Sequence, residues 1–86
     1  MFEIRWSSVK NKRLKKIRGT SFEEILRAEI IAGRKHPKIA HQNVILVWHR
    51  SYVWVVPYVI ENENIFLKTL YPSRKYTKIY MRGEYL

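Results

Sequence analysis

The second half of the chain holds three apolar runs of strand length, separated by two short polar turns. Residues 44–49 (V-I-L-V-W-H) lead into Arg50-Ser51, residues 52–60 (Y-V-W-V-V-P-Y-V-I) lead into Glu61-Asn62-Glu63-Asn64, and residues 65–71 (I-F-L-K-T-L-Y) end at Pro72. Runs rich in β-branched and aromatic side chains, joined by links this short, pair as antiparallel hairpins. The pattern predicts three consecutive antiparallel strands. Pro57 removes one ladder donor, so a bulge or a sheet edge is expected there.

The flanking segments read differently. Residues 2–6 (F-E-I-R-W) alternate apolar and charged residues, which suggests a short half-exposed strand. Ser7 or Ser8 is placed to cap a helix that Gly19 ends, with Leu14 and Ile17 on one face. Ser21 and Glu24 have capping-box spacing. Phe22, Ile25, Leu26 and Ile30 then repeat as a helical stripe, with Gly33 as its stop. Residues 34–42 are polar, contain Pro37, and read as a loop with room for a short strand. Ser73 can cap a last helix reaching about Arg82. The expected order is β-α-α-β-β-β-α. That is one small α+β domain over residues 1–86, with two N-terminal helices packed on an antiparallel sheet and a C-terminal helix.

Charge narrows the partner. The chain has 17 Lys and Arg against 7 Asp and Glu, a formal net charge of +10 on 86 residues. Such an excess repels itself and attracts polyanions, with RNA the first candidate. Other chemistries lack their residues. There is no cysteine for a thiolate, a disulfide or a zinc site. His36, His41 and His49 lack metal-ligand spacing, and the three glycines are isolated rather than gathered in a phosphate loop. No metal or cofactor is expected. No run approaches the roughly 20 apolar residues of a membrane span, and residues 1–5 have no signal-peptide core. A cytoplasmic location is the expectation.

Two basic blocks are candidate sites. In the first, Lys10, Lys12, Arg13, Lys15, Lys16 and Arg18 run without an acid among them. They form either a solvated helix face or a surface on which Lys12, Lys15 and Lys16 touch RNA phosphates. In the second, alternation places Lys68 between Phe66 and Leu70 on one strand face. Arg74 and Lys75 open the last helix, where free N–H groups and the helix dipole favour an anion, and Lys78 follows one turn on. His49 and Arg50 sit at a hairpin tip; Arg50 is expected to contact RNA near the same phosphate, and an imidazole beside a phosphate is suited to acid–base work near neutral pH. Trp48, Tyr52, Trp54 and Tyr58 read as packing residues, one or two of them available to stack on bases.

Five segments carry a family resemblance: S-F-E-E-I at 21–25, H-P at 36–37, V-I-L-V-W-H at 44–49, V-V-P-Y-V at 55–59 and I-F-L-K-T-L-Y-P-S-R-K-Y-T-K at 65–78. Together they resemble the BrnT-like toxins of the RelE/ParE toxin–antitoxin superfamily, most sharply in L-K-T-L-Y-P-S-R-K. The resemblance implies an endoribonuclease toxin that stops translation. It also implies a cognate acidic antitoxin, commonly with a ribbon-helix-helix region. By motif, Arg74 resembles the junction arginine that contacts the scissile phosphate. Lys68 resembles a basic strand residue facing the same groove, and Tyr80 a late aromatic of some relatives. No residue is matched as general base, and His49 is the candidate. Two other readings stay open: a non-catalytic member of the fold that binds nucleic acid or poisons gyrase, and a stand-alone RNA-binding module.

Overall fold

A computed structural model of the chain describes residues 3–36, 38–84 and 86. Its elements are β1 (Glu3–Arg5), α1 (Ser8–Arg18), α2 (Phe22–Leu26), β2 (Glu29–Lys35), β3 (Asn43–His49), β4 (Tyr52–Glu61), β5 (Asn64–Leu67), β6 (Tyr71–Pro72) and α3 (Arg74–Met81). The expected strand at 2–6 is β1 from Glu3; Phe2 and Pro37 lie outside the described residues. The sheet order is β1-β5-β4-β3-β2, with β6 paired to β4. All pairings are antiparallel except β1 with β5, which is parallel, so the sheet is mixed.

Two turns fix the hairpins. Arg50 and Ser51 have φ of 54° and 60°, and Asn62 and Glu63 have φ of 47° and 66°. Two successive left-handed residues make the primed turns whose twist matches that of paired strands. The first sets His49 opposite Tyr52 and carries that register to Asn43 opposite Tyr58 without a break. Pro57 therefore produces neither the expected bulge nor a sheet edge. Counted from the closing pair His49–Tyr52, Val44–Pro57 is a non-hydrogen-bonded pair, so the proline nitrogen points away from β3. On its other side β4 changes partner, from β6 at Trp54–Val55 to β5 from Tyr58 onward. The missing donor falls in that gap.

Strand parity sorts the core into two layers. Val47, Trp54, Val56 and Leu67 face α1 and α2, where they meet Leu14, Phe22, Ile25 and Leu70. Val44, Leu46, Val53 and Val55 face the other way, under Tyr76 and Tyr80 of α3. The sheet is thus covered on one side by the N-terminal helices and on the other by the C-terminal helix.

The second helix departs from expectation. The Ser21–Glu24 capping box forms as read, but α2 has only five residues, and Ile30 to Gly33 belong to β2. Gly33 is a strand residue opposite Ile45, not a helix stop. Adjacent β-branched Ile30 and Ile31 disfavour continuing the helix, and β3 would otherwise leave its outer ladder unpaired. A register shift between Ile30 and Ala32 marks a bulge in the new strand. In α1 only Leu14 is buried, at 3% exposure; Ile17, expected on the same face, is 66% exposed.

This correction has a measurable consequence. Ile25 is 2% exposed and Ile30 is 61% exposed, although one helical stripe would bury both. Ile25→Ala is expected to cost about 2–5 kcal/mol of stability in urea unfolding. Ile30→Ala is expected to cost about 0.5 kcal/mol or less. Equal losses would restore the longer helix.

Candidate functional site

The N-terminus of α3 is fastened to β4 before any charged side chain is considered. Ser73 N–H donates to the Val53 carbonyl at 2.8 Å, and the Ser73 hydroxyl accepts from Tyr76 N–H at 3.1 Å. The Thr77 hydroxyl donates to the Ser73 carbonyl at 2.6 Å and accepts from Val53 N–H at 2.8 Å. Thr77 is a residue the sequence did not single out; its hydroxyl closes a bond between helix and strand that no local spacing reveals. Arg74 and Lys75 follow the cap as the first two helical residues, both exposed, with no acid in that turn. Lys75 Nζ lies 5.8 Å from the Tyr76 ring centre.

Lys68 reaches this face by a different route from the one expected. The ladder stops at Leu67, and Lys68 N–H donates to the Pro57 carbonyl at 2.8 Å. Leu70 does not share its face: it is fully buried among α1 and α2 residues, while Lys68 is exposed with Nζ 5.5 Å from the Phe66 ring centre. Phe66 is opposite Val59, which has the parity of Val53 and Val55 beneath α3. Lys68 and α3 therefore occupy the same side of the sheet. Along β4, Lys68 is level with Pro57 and Ser73 with Val53. Four strand residues span roughly 13 Å, a gap that two long cationic side chains can bridge around one phosphate.

Tyr80 lies further along α3, its ring 5.0 Å from that of Trp48. It also borders a groove of about 540 Å³ between α3 and β2, lined by Ile31, Ala32, Arg34 and Leu86 among others. Lys78 is exposed one turn after Arg74.

His49 is on the opposite face. It shares parity with Val47, and its ring meets Trp54 edge-on at 5.8 Å, while Trp54 Nε1 donates to its carbonyl at 3.0 Å. Burial first, and the Arg50 charge second, hold its imidazole below the ordinary value. Its Nε2 is buried and unpartnered among the described residues. The sheet thus separates His49 from Tyr80 and Arg74.

Arg50 and Lys15 are engaged elsewhere. Arg50 donates to the Gly19 carbonyl at 2.9 Å and to Glu24 at 3.2 Å. Lys15 bonds both Glu24 oxygens at 3.0 Å. Glu24 also accepts from Ser21 N–H at 2.7 Å. Lys15, followed by that backbone N–H, holds the Glu24 carboxyl down at about 2. These contacts tie the β3–β4 hairpin to the turn between α1 and α2. Lys12 and Lys16 are exposed one turn apart on α1, and Lys12 lines a shallow pocket beside Lys15, Ser21 and Glu24. The structure therefore gathers Lys68, Arg74, Lys75, Lys78 and Tyr80 on the α3 side. It assigns Lys15 and Arg50 to an anchor around Glu24 and leaves Lys12 and Lys16 on α1, across the sheet from α3.

The anchor predicts a pH profile. Glu24 titrates lower in the folded chain than its ordinary 4.5, so its contribution is present above that value and is lost as pH falls toward about 2. His49 is also lowered, from 6.5, so folding is weakened as pH falls below that value and the imidazole is forced to take a proton. Urea midpoints measured against pH should fall in both windows. Glu24→Gln should flatten the acid window and His49→Phe the one near neutrality; profiles unchanged by either substitution would dismiss the anchor.

No protein-family model matches the sequence, and no curated protein matches it. Among solved structures, the chain is similar to the crystal structure of BrnT, the ribonuclease toxin of Brucella abortus. The TM-score is 0.56 at 15% sequence identity, over 85% of this chain and 97% of that one. At that identity the likeness is one of backbone architecture: the small α+β chain folds as the BrnT toxin does, which is the fold implied by the resemblance read from its sequence.

Proposed function

We propose that this chain is the toxin of a type II toxin–antitoxin pair, a metal-independent endoribonuclease that cleaves RNA and so inhibits translation in the cytoplasm. The observation that carries the reading is the placement of Lys68, Arg74 and Lys75 on one sheet face, at a helix start fastened to the central strand, in a fold shared with a ribonuclease toxin.

RNA brings its own nucleophile. The 2′-hydroxyl attacks the adjacent phosphorus, so the protein's work is to align that attack and stabilise charge on the phosphate oxygens. Arg74 and Lys68 would bracket the scissile phosphate, with Lys75 and Lys78 on neighbouring ones. Tyr80, which shares this side of the sheet with Tyr71 and Tyr76, is assigned the proton transfer because it is the late aromatic of the family resemblance. The net charge of +10 suits an acidic antitoxin segment, joined to a ribbon-helix-helix region, laid over the same cations. A second reading, a non-catalytic nucleic-acid binder of this fold, is favoured by one observation: His49 lies across the sheet from Arg74.

Arg74→Ala removes a charged contact worth most in the transition state, about 3 kcal/mol or two orders of magnitude in rate. It should abolish growth arrest on induced expression and cleavage of purified RNA, with the circular-dichroism spectrum unchanged. Lys12→Ala should weaken RNA binding only mildly. If Arg74→Ala and Lys68→Ala both remain fully toxic, the site is misplaced and the non-catalytic reading is preferred.

A further inference from the structure

The α3 side of the sheet is only partly covered. Helix α3 crosses Val53 and Val55 of β4 and reaches Trp48 and β2. The other end of that face, where β1, β5 and the second half of β4 meet, has no helix over it among the described residues. One cross-strand row lies there: Arg5 opposite Phe66, and Phe66 opposite Val59. Phe66 and Val59 are half-buried, yet neither belongs to either core cluster. A phenylalanine ring that serves no core is an uncommon use of apolar surface.

Its neighbours are cationic. Lys68 Nζ stands over the ring, 5.5 Å from its centre, and Arg5 is exposed, its one ion pair among the described residues a loose 3.9 Å contact with Glu3. Following β4 in steps of two residues, about 7 Å each, this face presents Phe66, then Lys68, then half-buried Tyr71, then the cap of α3 with Arg74. Aromatic and cation alternate. Glu3 and Glu61, both opposite Asn64, close the strip at the β4–β5 turn, so an anionic chain is directed from Phe66 toward α3.

We infer that the Arg5–Phe66–Val59 row is a base-stacking subsite for single-stranded RNA, in which one unpaired base takes the place of Lys68 Nζ over the Phe66 ring while Arg5 and the displaced Lys68 hold the flanking phosphates. The inference rests on the reading of the α3 end as a phosphate site. Single-stranded RNA is the occupant because a ring between two cations matches a base between two phosphates, and every base has a face to stack. The selectivity conferred is for unpaired bases over paired ones, not for a sequence.

The test separates ring from charge. The probe is a short, labelled, single-stranded 2′-O-methyl oligoribonucleotide, which lacks the attacking hydroxyl; inorganic polyphosphate serves as a base-free polyanion. Binding is read by fluorescence anisotropy for wild type, Phe66→Leu and Phe66→Tyr, each checked for native circular dichroism. Phe66→Leu should raise the Kd for the oligonucleotide about tenfold, and Phe66→Tyr, which keeps a ring, should leave it within about twofold. Both variants should bind polyphosphate as wild type does. An oligonucleotide Kd unmoved by Phe66→Leu, or an equal loss for both probes, overturns the subsite. Cleavage of unmodified RNA is read separately: a Phe66 effect without cleavage sinks the ribonuclease and keeps the subsite, and cleavage without a Phe66 effect does the reverse.

Discussion

The register of the β3–β4 hairpin decides where every other element of the structure can sit. With His49 opposite Tyr52, odd residues of β3 and even residues of β4 face the N-terminal helices, and the rest face α3. Side chains alternate with a period of two, so a slip of one residue would send Val47, Trp54 and Val56 to the wrong layer. That register hangs on a turn whose two residues, Arg50 and Ser51, both adopt left-handed backbone at some steric cost for a side chain with a Cβ. Arg50 is held there by the Gly19 carbonyl and Glu24. Gly19 itself has φ of 72° at the end of α1, where the left-handed cap presents its carbonyl to both Lys15 and Arg50. The helical turn and the hairpin turn therefore hold each other in unusual conformations through one carboxylate and one carbonyl.

That arrangement explains how so basic a chain spends one of its few acids. Two like charges drawn toward the same place repel, and Lys15 and Arg50 are drawn together by the fold itself. Glu24 between them turns that repulsion into attraction on both sides, while the Ser21 N–H occupies its other oxygen. Its side chain is 27% exposed, enough for solvent to screen each pair, so the value of the cluster lies in geometry shared by three partners rather than in any one bridge.

Much of this was legible before the coordinates, and the misses have definite causes. The strand pairs, both short turns, the capping box at Ser21 and the cap at Ser73 are local signals, and they appear where the residues put them. Ile30 was read into a helix because its spacing from Phe22 and Leu26 fits a helical stripe, yet it is a strand residue on an exposed edge. Spacing cannot report that β3 needs a partner on its far side. Lys68 and Leu70 were placed on one face because alternation was assumed to continue; the chain leaves the ladder at Leu67 so that Leu70 can fill the opposite core. Among the site residues, Arg74 and Lys68 fall on one side because only six positions separate them within a single excursion along β4. No local signal ties His49 and Arg50 to them: parity places His49 on the opposite face, and Glu24 holds Arg50.

The separation of the cations into used and unused sets carries the last step. A chain of net charge +10 has strong reasons to scatter its charge, since repulsion among neighbours opposes folding. Where lysine and arginine serve the fold, they have partners, as Lys15 and Arg50 do. On the α3 side Arg74 starts a helix with no acid in its first turn, where the dipole already repels nothing anionic and attracts everything anionic. Lys68 and Lys75 rest against aromatic rings, not carboxylates. A positive face of this kind is held open by the rigidity beneath it: Ser73 and Thr77 tie the helix start to β4 through two hydrogen bonds to Val53, and two more within the cap hold both residues in place. Preorganised charge of that sort gains most when a polyanion arrives, because the cost of gathering the cations has been met in folding rather than in binding.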